Sequence, residues 1–299
     1  YQYDKIKILF CMSNRVVITG IGPVTPIGVG REDFENNVFT GKHGNFKRYQ
    51  LRDGNSTELG FIDADRQIKS LRKEVLEIKK HASNERKMPK ILADDQRIYK
   101  LALLSSILAK KDAGLLELTD NDGNDTNLFF AGVTPPEDSV TGYGKYYAND
   151  ETVKRSAETE IHGQRAAAIS RLLNIRGIVR ESAMACSSTL DTIITGFKEI
   201  KHGESKLAFC GGVDSLIGEM VVEVFRLMRT LAQHAPDKTI TNLCRPFCTD
   251  KTGTVLSEGG GMMVLEELER AKDRGAETRI LAEVLAGSQT ADAFNGLKP

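Results

Sequence analysis

A layered α/β fold with a largely parallel core sheet is what this sequence predicts, on three observations. Short runs rich in Val, Ile, Leu and Phe are bounded by glycine, longer stretches between them carry apolar residues at helical spacing, and the two kinds alternate along the chain. No internal repeat or low-complexity tract interrupts the pattern. Residues 15–20 form the first buried strand, a β-branched run ending in the turn Gly20-Ile-Gly-Pro23. The polar stretch 66–90, rich in Lys and Glu, reads as a solvated helix and loop. Residues 96–114 place Ile98, Leu101, Ala102 and Leu108 on one helical face, with Gly114 as the C-terminal cap. Residues 127–133 give a second buried strand and 178–183 another. A helix then runs over 187–203, with Leu190, Ile193, Ile194 and Phe197 at helical spacing. Residues 207–213 and 261–265 are further short strands flanked by glycine, and 279–286 is a strand-like run.

Composition bounds the function. The chain has 299 residues, 41 Lys+Arg against 41 Asp+Glu and 40% apolar residues, enough to bury a sizeable core. A formal charge of +0 and a pI near 7.1 offer no basic stripe for phosphates, so neither nucleic acid nor an anionic membrane is an expected partner. Five scattered cysteines, Cys11, Cys186, Cys210, Cys244 and Cys248, fit free thiols in a reducing compartment, by default the cytoplasm. Met12 opens Met-Ser-Asn-Arg-Val-Val-Ile-Thr-Gly, a natural start before a strand, so residues 1–11 are expected to stand outside the fold. The apolar part of that leader is too short to span a bilayer, and it has no small-residue cleavage site.

Chemistry concentrates where the 178–183 strand gives way to Met184-Ala-Cys-Ser-Ser188 and the next helix. A cysteine at such a turn lies near the first free N–H groups of the helix, whose partial positive charge favours an anionic sulfur. Cys186 is therefore a candidate nucleophile. The competing reading is a buried core cysteine, since Ala183 and Ala185 are small and apolar. Cys244-x-x-x-Cys248 lacks the second Cys or His pair of a zinc site, so no metal is expected. Gly259-Gly-Gly261 is not followed by Lys-Ser/Thr, as a phosphate loop would be; it is read instead as close packing of backbone on backbone.

Five segments in order resemble the β-ketoacyl synthase family over nearly all of residues 12–299. They are Arg15-Val-Val-Ile-Thr-Gly-Ile-Gly-Pro-Val-Thr-Pro-Ile-Gly28; Ala185-Cys-Ser-Ser188 with Thr-Leu-Asp; Phe209-Cys-Gly-Gly-Val-Asp214; Arg245-Pro-Phe-Cys-Thr-Asp-Lys-Thr-Gly253 with Ser257-Glu-Gly-Gly-Gly261 and Val264-Leu-Glu266; and Asp292-Ala-Phe-Asn295. The resemblance implies a thiolase-like layered α/β/α sandwich, with residues 12–277 as the N-terminal ketosynthase half and 278–299 as the start of the second half. It implies a decarboxylative Claisen condensation of the kind used in fatty-acid or polyketide biosynthesis. Cys186 would be the acylated nucleophile, its own N–H one arm of an oxyanion hole. The implied partners are an acyl carrier protein, acyl and malonyl thioesters, and a second ketosynthase subunit paired across residues 178–183, as homodimer or heterodimer. Phe294 and Asn295 would lie on the loop that gates the substrate pocket. No cofactor is implied.

The sequence also departs from the family. Its two catalytic histidines and lysine come from later motifs, and none of His43, His81, His162, His202 and His234 stands in such a motif. Cys248 stands in place of aspartate, Lys251-Thr252 in place of Arg-Asp, Thr254 in place of phenylalanine and Asn295 in place of the gating histidine. Val133-Thr-Pro-Pro136 lies where the family carries a Gly-rich turn. These changes favour a divergent, specialised synthase, and the 299-residue chain alone is expected not to condense. The alternative is a non-catalytic partner subunit or inactive fragment of a condensing enzyme. In type II polyketide systems that subunit, a chain-length factor, replaces the cysteine retained here as Cys186.

Overall fold

The computed structural model describes residues 13–62, 97–115, 118, 120–132, 163–232, 243–291 and 293. Within them the chain builds one eight-stranded mixed sheet with helices on both faces. The strands are β1 (Val16–Ile21), β2 (Phe46–Gln50), β3 (Ser56–Gly60), β4 (Thr126–Ala131), β5 (Val179–Ser182), β6 (Leu207–Ser215), β7 (Leu256–Glu267) and β8 (Ala282–Val284). The helices are α1 (Arg31–Phe39), α2 (Arg97–Asp112), α3 (Asp120–Asn124), α4 (Gln164–Leu173), α5 (Ser188–Lys201), α6 (Glu219–Leu227) and α7 (Leu268–Asp273).

The sheet runs β2-β3-β7-β6-β4-β5, with β1 also on β7 and β8 on β1. β5, β4 and β6 are parallel, with Leu128 opposite both Val179 and Phe209. β7 then runs antiparallel to both β6 and β1, opposing Val264 to Phe209 and Leu265 to Ile18. The expectation of a largely parallel sheet is therefore corrected to a mixed one. The reason is β7, a twelve-residue strand that returns through the middle of the sheet antiparallel to both β6 and β1. The predicted strand at 261–265 is only its apolar end. The predicted run at 279–286 begins on the last residue of a 3₁₀ turn, Glu277–Arg279, and contains β8, which lies beside β1.

Alternation along the central strands sends side chains to two cores. Leu128 and Phe130 of β4, Leu207 and Phe209 of β6, and Met262 and Val264 of β7 face α2 and α4. Phe129, Ala208, Cys210 and Leu265 face the other way, onto Phe197 and Ile200 of α5. Each fully buried Phe or Ile contributes about 1.5–3 kcal/mol by leaving water. α2 is buried nearly all round, not on one face only; Ile98, Leu101 and Ala102 are in the core and Leu108 is half-buried. Its close seat on β1 depends on Gly20 and Gly22, where a Cβ would strike the α2 backbone at Ala109 and Ser105, and the Ser105 hydroxyl donates to the Gly22 carbonyl at 2.6 Å. Gly114, at φ 69°, ends this helical stretch as predicted.

The β2–β3 hairpin and α6 share a third, smaller core of Leu51, Leu59, Val222, Leu231 and Leu256. Of the triple glycine, a Cβ on Gly260 would strike the Val213 side chain first and then the Gly212 carbonyl, so close packing there is only partly of backbone on backbone, whereas Gly261 has open space beside it. The stretches 66–90 and 133–136, and the gating residues Phe294 and Asn295, lie outside the described residues.

Candidate active site

α5 carries the site on its first turn. The helix forms because Ile193, Ile194, Phe197 and Ile200 recur at helical spacing, while Asp191 in the first turn and Lys198 and Lys201 in the last complement its dipole. His202 caps it and Gly203, at φ 80°, ends it. Ile194, Phe197 and Ile200 are buried and Ile193 is half-buried. Leu190, expected on that face, does share it with Ile194 four residues on, but is 59% exposed because it stands at the very start of the helix, beside the exposed connection from β5.

That connection carries Cys186. β5 ends at Ser182, and a 3₁₀ turn, Ala185–Ser187, leads straight into α5. Residues 183–187 are all exposed, so the structure places Cys186 at the surface as a free thiol and removes the buried-core reading. Ala185, just before it, has φ 51°, a left-handed conformation that costs a non-glycine residue about 1–2 kcal/mol. Hydrogen bonds within the turn hold that conformation. The Ser188 hydroxyl donates to the Ala185 carbonyl at 2.7 Å and accepts the Met184 N–H at 2.6 Å, and the Ser187 hydroxyl donates to the Met184 carbonyl at 2.8 Å. Among the described residues no backbone carbonyl accepts the N–H of Cys186.

The turn is seated on the sheet from both sides. A Cβ on Gly212, within β6, would collide with Thr189 Oγ1 and Ala131, so this glycine lets the first turn of α5 sit against β4 and β6. The Ser182 hydroxyl donates to Asp191 Oδ2 at 2.7 Å, and the Gln289 amide donates to Asp191 Oδ1. On the opposite face of β5, Glu181 accepts from Arg165 Nε of α4 at 2.8 Å, and Arg165 also donates to the Gly132 carbonyl at 2.7 Å. Sequence reasoning missed Ser182, Ser188, Asp191 and Gln289. One signal was available: Ser188-x-x-Asp191 matches the helix capping box, although here serine closes the preceding turn and aspartate reaches across to β5.

The other sequence candidates lie elsewhere. Cys210 faces α5 from within the sheet, fully buried, and burial pushes its thiol well above the ordinary cysteine range. Cys244 and Cys248 are exposed on the loop before β7. His202 caps the far end of the fourteen-residue α5, about 20 Å from its first turn at 1.5 Å per residue, and His43 is exposed between α1 and β2. His81, His162 and His234 lie outside the described residues. Among the described residues no group of three or more His, Cys, Asp or Glu side chains is placed to hold a metal ion, and no helix is long and apolar enough to cross a membrane.

An exposed cysteine on a strained strand-to-helix turn, in a sheet with helices on both faces, is a geometry that comparison with known proteins can place. Residues 13–271 match the family model described as the N-terminal domain of β-ketoacyl synthase. The chain belongs to the β-ketoacyl synthase family. Nodulation protein E of Rhizobium meliloti is 31% identical over 303 residues, covering 96% of this chain and 66% of that protein. The chain thus spans about two thirds of the length of such curated relatives. A 3-oxoacyl-[acyl-carrier-protein] synthase 2 of Mycobacterium bovis is 34% identical over 134 residues, 45% of this chain and 31% of that one. Among solved structures, a type II polyketide ketosynthase in complex with its acyl-carrier protein superposes with a TM-score of 0.72 at 22% identity, covering 91% of this chain and 62% of that one. The ishigamide ketosynthase/chain length factor gives 0.69 at 26%, covering 92% and 63%. These likenesses show the thiolase-like layered α/β/α fold that the ketosynthase resemblance implied.

Proposed function

We propose that this ketosynthase-family chain carries the acyl-accepting half of a decarboxylative Claisen condensation in fatty-acid or polyketide synthesis, with Cys186 as nucleophile. The observation that carries the reading is the placement of Cys186: exposed, on a left-handed turn, at the start of a well-anchored helix. In the first step the Cys186 thiolate attacks the carbonyl carbon of an acyl thioester borne by an acyl carrier protein. The tetrahedral intermediate collapses to acyl-Cys186 and releases the carrier thiolate. The Cys186 N–H, which no described backbone carbonyl accepts, is available to the developing oxyanion. In the second step a malonyl carrier thioester loses carbon dioxide, its enolate carbon attacks the acyl-Cys186 carbonyl, and a β-ketoacyl carrier leaves as the thiolate is restored.

In this reading residues 12–277 make the first ketosynthase half and 278–299 open the second. The two histidines that stabilise the enolate in the family, and its catalytic lysine, have no counterpart in motifs among these residues. Acylation is therefore expected of the 299-residue chain and condensation is not. β5 is the last strand of its sheet among the described residues, with Ile178, Val179 and Met184 exposed beside it, which supports pairing there with a second ketosynthase subunit, identical or related. The retained Cys186 favours a catalytic chain over a chain-length-factor-like partner, and the free cysteines fit a cytoplasmic enzyme. The test is incubation with an acyl-carrier thioester followed by intact-protein mass spectrometry. One acyl group is expected on the parent chain and none on Cys186→Ala; equal uptake by both would remove the proposal.

A further inference from the structure

The carboxylate of Asp191 joins three parts of the chain at the base of the nucleophile turn. One oxygen accepts the hydroxyl of Ser182, the last residue of β5, and the other accepts the amide of Gln289, in the segment after β8. Ser182 and Asp191 flank the exposed residues 183–187, so their hydrogen bond closes the loop that presents Cys186. Gln289 fixes that clasp from outside. Two residues earlier Gly287 lies against Ile194, where a Cβ would touch the isoleucine side chain at 2.9 Å, so the segment runs along α5 towards its first turn.

The clasp matters because the turn is under strain. Ala185 has φ 51°, a strained conformation that persists only where the surrounding structure fixes it. The hydrogen bonds of Ser187 and Ser188 stay within residues 184–188 and do not tie the turn to the strand before it. Asp191 supplies that tie. Its position in the first turn also places an acidic side chain where the helix N-terminus favours one.

We propose that Asp191 is a positioning residue for Cys186, holding the nucleophile turn in its reactive geometry by bridging Ser182 of β5 and Gln289 of the segment after β8. This rests on the reading of Cys186 as the acylated nucleophile. Loosening the clasp lets Ala185 relax and Cys186 move, and misplacing a reacting atom by about 1 Å costs on the order of 100-fold in rate; losing one of two clasping bonds is expected to cost about tenfold.

The test is single-turnover acylation of the 299-residue chain by the hexanoyl thioester of N-acetylcysteamine, followed by intact mass, with the thermal midpoint of each variant measured beside it. Ser182→Ala and Asp191→Ala are each expected to slow acylation of the folded protein about tenfold or more, and the double variant no more than the slower single, because both changes remove the Ser182–Asp191 bond. Ser182→Thr, which keeps the hydroxyl, should stay within about twofold of the parent. A merely structural role would lower midpoints and leave the rate of the folded protein unchanged. Rates within twofold for both single variants, or a double variant equal to the product of the singles, would overturn the positioning role while leaving Cys186 as nucleophile. Acylation that survives Cys186→Ala would sink the nucleophile reading and this one with it.

Discussion

The Sγ of Cys210, on β6, occupies the space that a Cβ on Gly196 of α5 would need. Helix and sheet therefore meet at a glycine on one side and a small buried thiol on the other, and this contact sets the depth at which α5 lies on the sheet. Gly196→Ala forces the two apart and should destabilise the fold by about 1–3 kcal/mol, the range for overpacking. Urea unfolding would measure it, and Cys210→Ala in the same chain should recover part of the loss, whereas purely additive effects would show that the two residues do not share the space.

Glu266 of β7 is fully buried and is the hub of a cationic cluster. It accepts the Thr19 hydroxyl at 2.9 Å and Arg274 at 2.7 and 2.8 Å, and it also pairs with Arg270. Glu266→Ala strips the Arg274 guanidinium of its counter-ion and leaves Arg270 with Asp122, and it is expected to cost about 3–5 kcal/mol. Equilibrium denaturation that found less than about 1 kcal/mol would contradict this account of how α7 is held to β1 and β7.

Acid should weaken the polar tie between α6 and the β2–β3 hairpin that Arg226 makes with Asp53. The Arg226 guanidinium hydrogen-bonds Glu223 and holds its carboxyl below the ordinary value of 4.5. Asp53, in the hairpin turn, is held below its ordinary 3.8 first by the Asn55 N–H and then by Arg226. Depressed carboxylates contribute stability that is present above the unfolded-state value and is lost as pH falls through the folded one. The stability of the parent should therefore fall below about pH 4.5, and Arg226→Gln should flatten that limb without changing its level much at pH 7. An acid limb identical in both proteins would argue against this clasp.

Much of the central layer is legible in the sequence because β1, β4, β6, α2 and α5 are continuous apolar runs or clear helical stripes with glycine at their ends. β7 is legible only at its Val-Leu end, since Ser257-Glu-Gly-Gly-Gly261 carries little apolar signal although its backbone pairs with β6 along its length. The β2–β3 hairpin escapes notice because its strands are polar on the exposed side, yet Asp53-Gly54, with Gly54 at φ 85°, is the turn signal that marks it. α6 hides because its apolar residues divide between a buried side at Val222 and an exposed one at Met220, Val224 and Leu227. At the candidate site, Cys186 is readable from its neighbours in sequence. The Ser182–Asp191–Gln289 clasp is not, because Gln289 lies 98 residues from its partner and nothing in a local pattern reports such a pairing.

The central claim is that Cys186 is an activated nucleophile and not merely an accessible thiol. Cys186, Cys244 and Cys248 are all exposed, so accessibility alone predicts that they react alike, while buried Cys210 should be inert in the folded protein. The decisive measurement is peptide mapping of the folded 299-residue chain after a brief, substoichiometric treatment with an acyl-carrier thioester and, separately, with chloroacetamide. The account predicts that Cys186 takes most of the label from both reagents. Label spread evenly over Cys186, Cys244 and Cys248 would contradict it.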